Sequence, residues 1–284
     1  MKLPLVAASS VALIACMPAQ GAAVIYEPFS QPTGALNGQA GGTGLNAWVA
    51  EGGVTVSGET LTYGELQHTG GQSNVSSTGN TDARVTTTSA LKDATADPNG
   101  LLADGETLWF SVMFLKGANN SNSNEHSGFG FGTSFVQGNF DGLRMTGGDG
   151  VGFYTQGGSL GPATWDNGVR NLNETIGIGA GESALIIGKI EWGATAGDDE
   201  TITIYKVDPT DVDNLGTGST TTENPLDQTA FDVISFSNRN SNGTHIYDEI
   251  RFGAELADVI PVPEPGSLAL LGLGGLLMTS RRRR

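Results

Sequence analysis

The sequence predicts an all-β protein folded as a sandwich, and three observations lead to this prediction. The chain of 284 residues contains 43 glycines and only 15% charged residues, and its many Thr, Ser and Asn residues are, like Gly, weak helix formers. Runs of apolar and β-prone residues are bounded by turn clusters such as DPNG, GGDG and AGDDE. The sequence shows no long amphipathic helical pattern. Many short strands at fairly regular spacing are typical of a sandwich or a barrel.

Individual strands can be recognised from the alternation of residues. The run TLWFSVMFL (107–115) is almost entirely apolar or β-prone, as expected of a strand buried on both faces. The run SGFGFGTSF alternates phenylalanine with small residues, and ETITIYKV places Ile202 and Ile204 on the face opposite Thr203. GVGFYTQ, ALIIGKIEW and HIYDEIRFG have the same character. The length of the body suits one β domain.

The net charge of −16 limits the partners of the protein. Five of its basic residues, Lys2 and 281–284, lie at the two ends, so the body is more acidic still. Such a body repels nucleic acid and anionic lipid surfaces, and we expect no nucleic-acid partner. The single cysteine, Cys16, lies near the N-terminus, which excludes an intrachain disulfide and a cysteine-based metal site.

Residues 1–22 are predicted to be a secretory signal peptide. Lys2 gives a basic start, residues 3–15 form an apolar segment, and small residues at 19–23 offer a cleavage site. The alternative is that LIAC, ending at Cys16, resembles a bacterial lipobox, which would make that cysteine a lipidated N-terminus.

Residues 262–284 (VPEPGSLALLGLGGLLMTSRRRR) end the chain with an apolar run and four arginines. The apolar run is shorter than the ~20 residues of a stable membrane span. The arginines would stay on the cytoplasmic side of a membrane. We therefore expect a short hydrophobic helix that inserts transiently into the inner membrane through residues 267–280.

This tail resembles the PEP-CTERM sorting signal of Gram-negative bacteria. The resemblance implies an exosortase as processing partner, export through the inner membrane and display at the cell surface or in the extracellular matrix, often alongside exopolysaccharide. The residues that carry the resemblance and the implied processing are Pro263, Glu264, Pro265, Arg281, Arg282, Arg283 and Arg284.

Residues 23–261 resemble the LamG-like, concanavalin A-like jelly rolls. The matching segments are IYEPF, GGTGLNAWVA, GETLWFSVMF, ALIIGKIEW, TITIYKVDPTD and YDEIRFG followed by LADVIP. In such folds the first and last strands pair, which would place VIYEPF beside YDEIRFG. The expected organisation is thus a signal peptide (1–22), a LamG-like sandwich (23–261) and a sorting signal (262–284).

The segment DPTDVDNLG is the candidate metal site. Asp208, Asp211, Asp213 and Asn214 place oxygen ligands at short intervals in a tight loop, which suits Ca²⁺. The segment lacks the bidentate Glu of an EF-hand, and an acidic turn without any ion is the alternative. No other cofactor is indicated.

The segment PATWDNG is the candidate ligand site. Trp165 is expected in a loop beside Asp166 and Asn167, where its ring would stack on a sugar. Trp48 and Trp192 are weaker candidates for the same role. The alternative is that Trp165 only anchors the loop.

No catalytic residue is predicted, and we expect the protein not to be an enzyme. GGSLG (157–161) matches G-x-S-x-G but is followed by loop residues instead of the helix that a nucleophile elbow requires. The acids Glu191, Asp248 and Glu249 do not form the E-x-D-x-x-E pattern of concanavalin-like glucanases, because the adjacent pair points to opposite faces of a strand.

The predicted function is that of an exported, exosortase-sorted protein whose sandwich binds carbohydrate or another surface partner. A structural matrix protein with no discrete ligand is the alternative, and a glycoside hydrolase is disfavoured.

Overall fold

The computed structural model describes the chain from residue 22 to residue 261, with gaps. The described residues are 22–51, 53–59, 61–63, 66, 71–75, 81–117, 126–133, 148–208, 211–212, 214–239 and 243–261. The expected signal peptide (1–22, apart from its last residue) and the expected sorting tail, with its Pro-Glu-Pro motif and terminal arginines, lie outside these residues. Within the described ranges, no helix is long and apolar enough to cross a membrane.

Short strands make up most of the described chain. In chain order they are β1 (Ile25–Glu27), β2 (Gly34–Ala35), β3 (Val49–Ala50), β4 (Val54–Ser57), β5 (Gln72–Val75), β6 (Thr81–Thr86), β7 (Thr107–Leu115), β8 (His126–Gly132), β9 (Gly150–Gln156), β10 (Ser159–Asp166), β11 (Val169–Leu172), β12 (Ile176–Gly177), β13 (Ser183–Glu191), β14 (Glu200–Val207), β15 (Ser219–Glu223), β16 (Val233–Arg239) and β17 (His245–Gly253). In the described ranges, helical structure is limited to 3-10 turns at Ser89–Leu91, Gly100–Leu102 and Gln228–Ala230 and to α1 (Leu256–Val259).

The strands form two antiparallel sheets that pack face to face. The nine-stranded sheet has the order β15-β14-β13-β7-β17-β5-β4-β2, with β1 also paired to β17. The eight-stranded sheet has the order β11-β10-β9-β8-β16-β6-β3, with β12 also paired to β10. The prediction of an all-β sandwich is confirmed.

Phenylalanine side chains from both sheets meet in the core between them. The ring of Phe110 in β7 lies 5.5 Å from that of Phe129 in β8, measured between ring centroids, and Phe131 lies 5.4 Å from Phe252 in β17. The glycines that alternate with the phenylalanines of β8 are also buried. The predicted alternation of phenylalanine with small residues therefore corresponds to the two faces of β8.

The first and last strands pair, as the resemblance implied. Ile25 lies opposite Phe252 and Tyr26 opposite Arg251. The Tyr26 hydroxyl donates a 2.9 Å hydrogen bond to Glu249, and the guanidinium of Arg251 forms an ion pair with the same carboxylate at 2.7 Å. These contacts tie the start of the described chain to the strand that precedes the tail.

A second, smaller apolar cluster lies where α1 and the residues after it pack on the nine-stranded sheet. Val259 and Ile260 are buried there with Leu185 and Ile187 of β13 and Val207 of β14. This packing brings the end of the sandwich back over the middle of its own sheet.

Candidate functional site

A cavity of about 510 Å³ opens among the loops at one end of the sandwich. It lies where β7 begins and β13 ends, since Thr107 and Glu191 are paired at that end of the sheet. Three loops that are distant in sequence contribute to it: 97–104, Ala196 and 225–229. Their lining residues include the carboxylates of Asp97, Asp104 and Asp227, the polar side chains of Asn99, Gln228 and Thr229, and the apolar side chains of Ala103, Pro225 and Leu226.

Hydrogen bonds hold these carboxylates in place. The amide of Gln228, only 3% exposed, donates to Asp104 at 2.7 Å, and the Thr229 hydroxyl donates to Asp227 at 2.8 Å. Asp97 accepts the backbone N–H of Asn99 at 2.8 Å. Each of these bonds uses one oxygen, and a carboxylate carries two acceptor oxygens. The cavity therefore presents fixed acceptors.

A buried acid, Glu200, lies beside the cavity. The Glu200 side chain accepts the backbone N–H of Leu226 at 3.1 Å. Burial, together with the charges of Asp199 and Asp104, raises the pKa of Glu200 to about 7. Among the described residues that line the cavity, none is a lysine or an arginine. The arrangement suits hydroxyl and ammonium donors and repels anions.

Trp165 is not in a loop, and this part of the ligand prediction is wrong. The residue lies in β10 opposite Arg170 and is completely buried with Tyr154, Ala163 and Val233. In this conformation neither face of its ring is open to a sugar.

Asp166 and Asn167 lie at the end of β10, in a tight hairpin to β11. Asn167 and Gly168 have positive φ angles of 47° and 78°, as a two-residue hairpin turn requires. The side-chain amide of Asn167 donates to Asp166 at 2.8 Å, and its backbone N–H donates to Asp149 at 3.0 Å. These hydrogen bonds stabilise the hairpin turn.

The other two candidate tryptophans are buried as well. Trp48 donates its indole N–H to Glu27, and Trp192 donates to the carbonyl of Leu101, both at 2.8 Å. Their polar ends are satisfied inside the protein, which is the usual arrangement for a buried tryptophan.

The candidate calcium loop follows β14. Asp208, Asp211 and Asn214 are exposed there, and Asp213 lies outside the described residues. Backbone bonds from Asp211 to Asp208 and from Asn214 to Asp211, both 3.1 Å, shape the turn, while the Asn214 side chain accepts the N–H of Gly216. Across the described ranges, no group of three or more His, Cys, Asp or Glu side chains is placed to hold a metal ion. Calcium binding stays a prediction.

The acids considered for catalysis do not converge on a cleft. Asp248 and Glu249 are fully buried, and a β-bulge between Asp248 and Arg251 interrupts the strict alternation expected for them. Burial, followed by the charge of Glu249, raises the pKa of Asp248 to about 9. Glu191, the last residue of β13, forms an ion pair with Lys189 at 2.6 Å, and both side chains are partly exposed.

Similar solved structures share only low sequence identity with this chain. A protein of unknown function from Shewanella oneidensis MR-1 is 13% identical, with a TM-score of 0.48, over 83% of this chain and 87% of that one. An endo-β-1,4-glucuronan lyase from Trichoderma reesei is 15% identical (TM-score 0.46, 85% and 100% covered). A legume lectin-like domain from Entamoeba histolytica is 8% identical (TM-score 0.41, 72% and 90% covered). No curated protein matches the chain in sequence.

The end of the chain has a clear counterpart, which confirms the resemblance found in its residues. Residues 261–284 match the family model described as the PEP-CTERM protein-sorting motif, and the protein therefore carries the signal of an exosortase-sorted extracellular protein that is exported across the inner membrane.

Proposed function

We propose that the β-sandwich is a glycan-binding module and that the cavity between loops 97–104 and 225–229 is its binding site. The observation that carries the proposal is the composition of the cavity. The fixed carboxylates that line it accept hydrogen bonds, and Leu226 and Ala103 supply buried apolar surface. A sugar ring offers the complementary hydroxyl groups and C–H faces. Small-ligand sites typically combine apolar lining with a few placed polar groups.

The glycan is neutral or carries amino groups. The carboxylates of Asp97, Asp104 and Asp227 line the site, and the whole chain has a net charge of −16. An anionic polysaccharide would meet this charge without a cation among the described lining residues. The sorting motif supports the same proposal, because it directs the protein to the compartment where polysaccharides are found.

The module binds its glycan without cleaving it. Glycoside hydrolysis needs two carboxyl groups that flank the scissile bond. Asp248 and Glu249 are buried within their strand and do not line the cavity, and the cavity carboxylates of Asp104 and Asp227 are each engaged by a hydrogen bond from a neighbouring side chain.

The test is a binding screen of the secreted protein against immobilised dextran, chitosan and alginate. We expect saturable binding to dextran or chitosan and none to alginate. Asp104→Asn and Asp227→Asn should each weaken binding roughly tenfold, because each removes a charged acceptor. Asp166→Asn, in the distant hairpin, is the matched control and should leave binding unchanged.

A second measurement, made in the presence of a chelator, distinguishes binding at the cavity from binding at the candidate calcium loop. Loss of binding in chelator, with Asp104→Asn still active, would move the site to the loop of Asp208 and Asp211. Absence of saturable binding to all three polymers would contradict the proposal and favour a structural matrix protein.

A further inference from the structure

We propose that residues 256–261, here called the exit segment, must detach from the nine-stranded sheet before the sorting enzyme can cleave the tail. The exit segment contains α1 and the residues that lead directly into the sorting motif. The proposal concerns processing and is independent of glycan binding.

The exit segment is a packed part of the sandwich. Val259 is 0% exposed, Ile260 is 7% exposed and Pro261 is buried as well. Val259 and Ile260 fill the smaller apolar cluster on β13 and β14. The body is therefore folded up to the first residue of the motif.

Specific hydrogen bonds also hold the exit segment. The buried hydroxyl of Ser111, in β7, donates to the carbonyl of Val259 at 2.5 Å. Glu255 and Asp258 form a capping box that closes the start of α1. The N–H of Ile260 donates to Leu256 at 3.2 Å. These contacts fix the backbone in a turn, which differs from the extended form that a protease binds.

The sequence leaves few residues between the folded sandwich and the apolar run to which an enzyme could bind. The apolar run of the tail begins at Leu268, only about six residues beyond Pro261, a reach of at most ~20 Å. A cut that releases the body from the apolar run must fall within this interval. Such a cut breaks one peptide bond, with water adding its hydroxyl to the carbonyl carbon and a proton to the released amine.

An endoprotease needs several extended residues on each side of the bond it breaks, and cleavage of a folded site follows the population of the locally opened state. On the N-terminal side, those residues include part of the exit segment. Opening of this segment therefore sets the rate of processing, and the enzyme receives its substrate from a folded body.

The experiment follows conversion of the full-length precursor to the processed form by pulse labelling in a host that has its own exosortase. A flexible spacer of about eight Gly and Ser residues between Pro261 and Val262 is expected to speed conversion roughly three- to tenfold. The same spacer placed in the exposed turn at 180–181 is the control and should leave the rate unchanged.

A second variant tests the anchor without lengthening the chain. Ser111→Ala removes the hydrogen bond to Val259 and should speed conversion roughly two- to fivefold. Ser235→Ala, at an equally buried serine of β16, is its matched control. Equal rates for the native chain, the Pro261 spacer and Ser111→Ala would overturn the proposal. Absence of processing in every variant would contradict it too, together with the role of the motif, whereas glycan binding would be unaffected in either case.

Discussion

The indole nitrogen of Trp48 donates a hydrogen bond to the carboxylate of Glu27 at 2.8 Å, and both side chains are almost completely buried. The same carboxylate accepts the backbone N–H groups of Phe29 and Gly42 and the side-chain amide of Gln31. One acid of the first strand thus organises the loop that leads into β3. A buried charge of this kind is stable only because several donors surround it.

We expect Glu27→Gln to destabilise the protein by roughly 2–4 kcal/mol, because one of the accepting oxygens is replaced by an NH₂ group that faces donors. Urea denaturation at neutral pH measures this loss. Glu191→Gln, at a half-exposed ion pair, is the control and should change stability by less than about 1 kcal/mol. A loss for Glu27→Gln as small as that of the control would show that the buried hydrogen bonds contribute little.

Stability should fall as the pH rises, because Asp248 keeps its proton more firmly in the folded chain than in the unfolded one. Burial raises its pKa to about 9, so the folded state binds the additional proton between about pH 4 and about pH 9. The carboxyls whose pKa burial raises to about 7 act in the same direction below neutral pH: Asp82, Glu174 and Glu200.

The contribution of Asp248 is isolated between about pH 7 and about pH 9, above the range of the other acids. Asp248→Asn cannot ionise and should flatten the slope there by up to about 1.4 kcal/mol per pH unit. Urea denaturation across this range tests the expectation. Glu106→Gln, at an exposed site, should keep the native slope. A native slope in Asp248→Asn would mean that this acid does not titrate there.

The hairpin turn between β10 and β11 should not tolerate a side chain at its second position. Gly168 has a φ of 78°, a conformation that costs an L-residue about 1–2 kcal/mol. Gly168→Ala should lower the free energy of unfolding by this amount, measured by thermal denaturation. Asn167→Gly, at the first turn position, should stay within about 1 kcal/mol of the native protein. Equal stability of both variants would contradict the assigned turn.

Substitution of Trp165 should affect stability and leave glycan binding intact. The side chain is completely buried, so Trp165→Phe removes packed atoms and should cost roughly 1–3 kcal/mol. Titration of the folded variant against chitosan should return the native dissociation constant. A large loss of affinity with little loss of stability would restore the sugar-stacking role predicted from the sequence.

The strands could be predicted because successive residues of a strand lie on opposite faces, and the type of each residue indicates which face is buried. The misplacement of Trp165 has a specific cause in Pro162, which suggested a loop because proline cannot donate to a sheet. In the structure Pro162 pairs with Phe153 of β9 along one edge of β10. Along the opposite edge, β12 pairs with the residues of β10 that precede Pro162, and β11 pairs with the residues that follow it. The proline therefore occupies a gap in the ladder where no donor is needed.

The cavity could not be predicted, because it is assembled from three separate loops, 97–104, Ala196 and 225–229, that are distant in sequence. The only local signal was the presence of aspartates in the turns DPNG and ENPLDQ. The residue types of a loop indicate its chemistry but not which other loop it will contact, and the two loops 97–104 and 225–229 meet only in the folded structure.

The pairing of β1 with β17 has a consequence for how the protein folds during export. Tyr26 and Glu249 are bonded across 223 positions of sequence, so the loop closed by this contact includes nearly the whole body. Contacts of such high order form late, because the entropy of closing the loop must be overcome first. A chain that crosses a membrane N-terminus first delivers β1 long before its partner. The first strand has to wait with an unpaired edge until Gly253 has emerged, so the final step of folding coincides with arrival of the tail at the membrane.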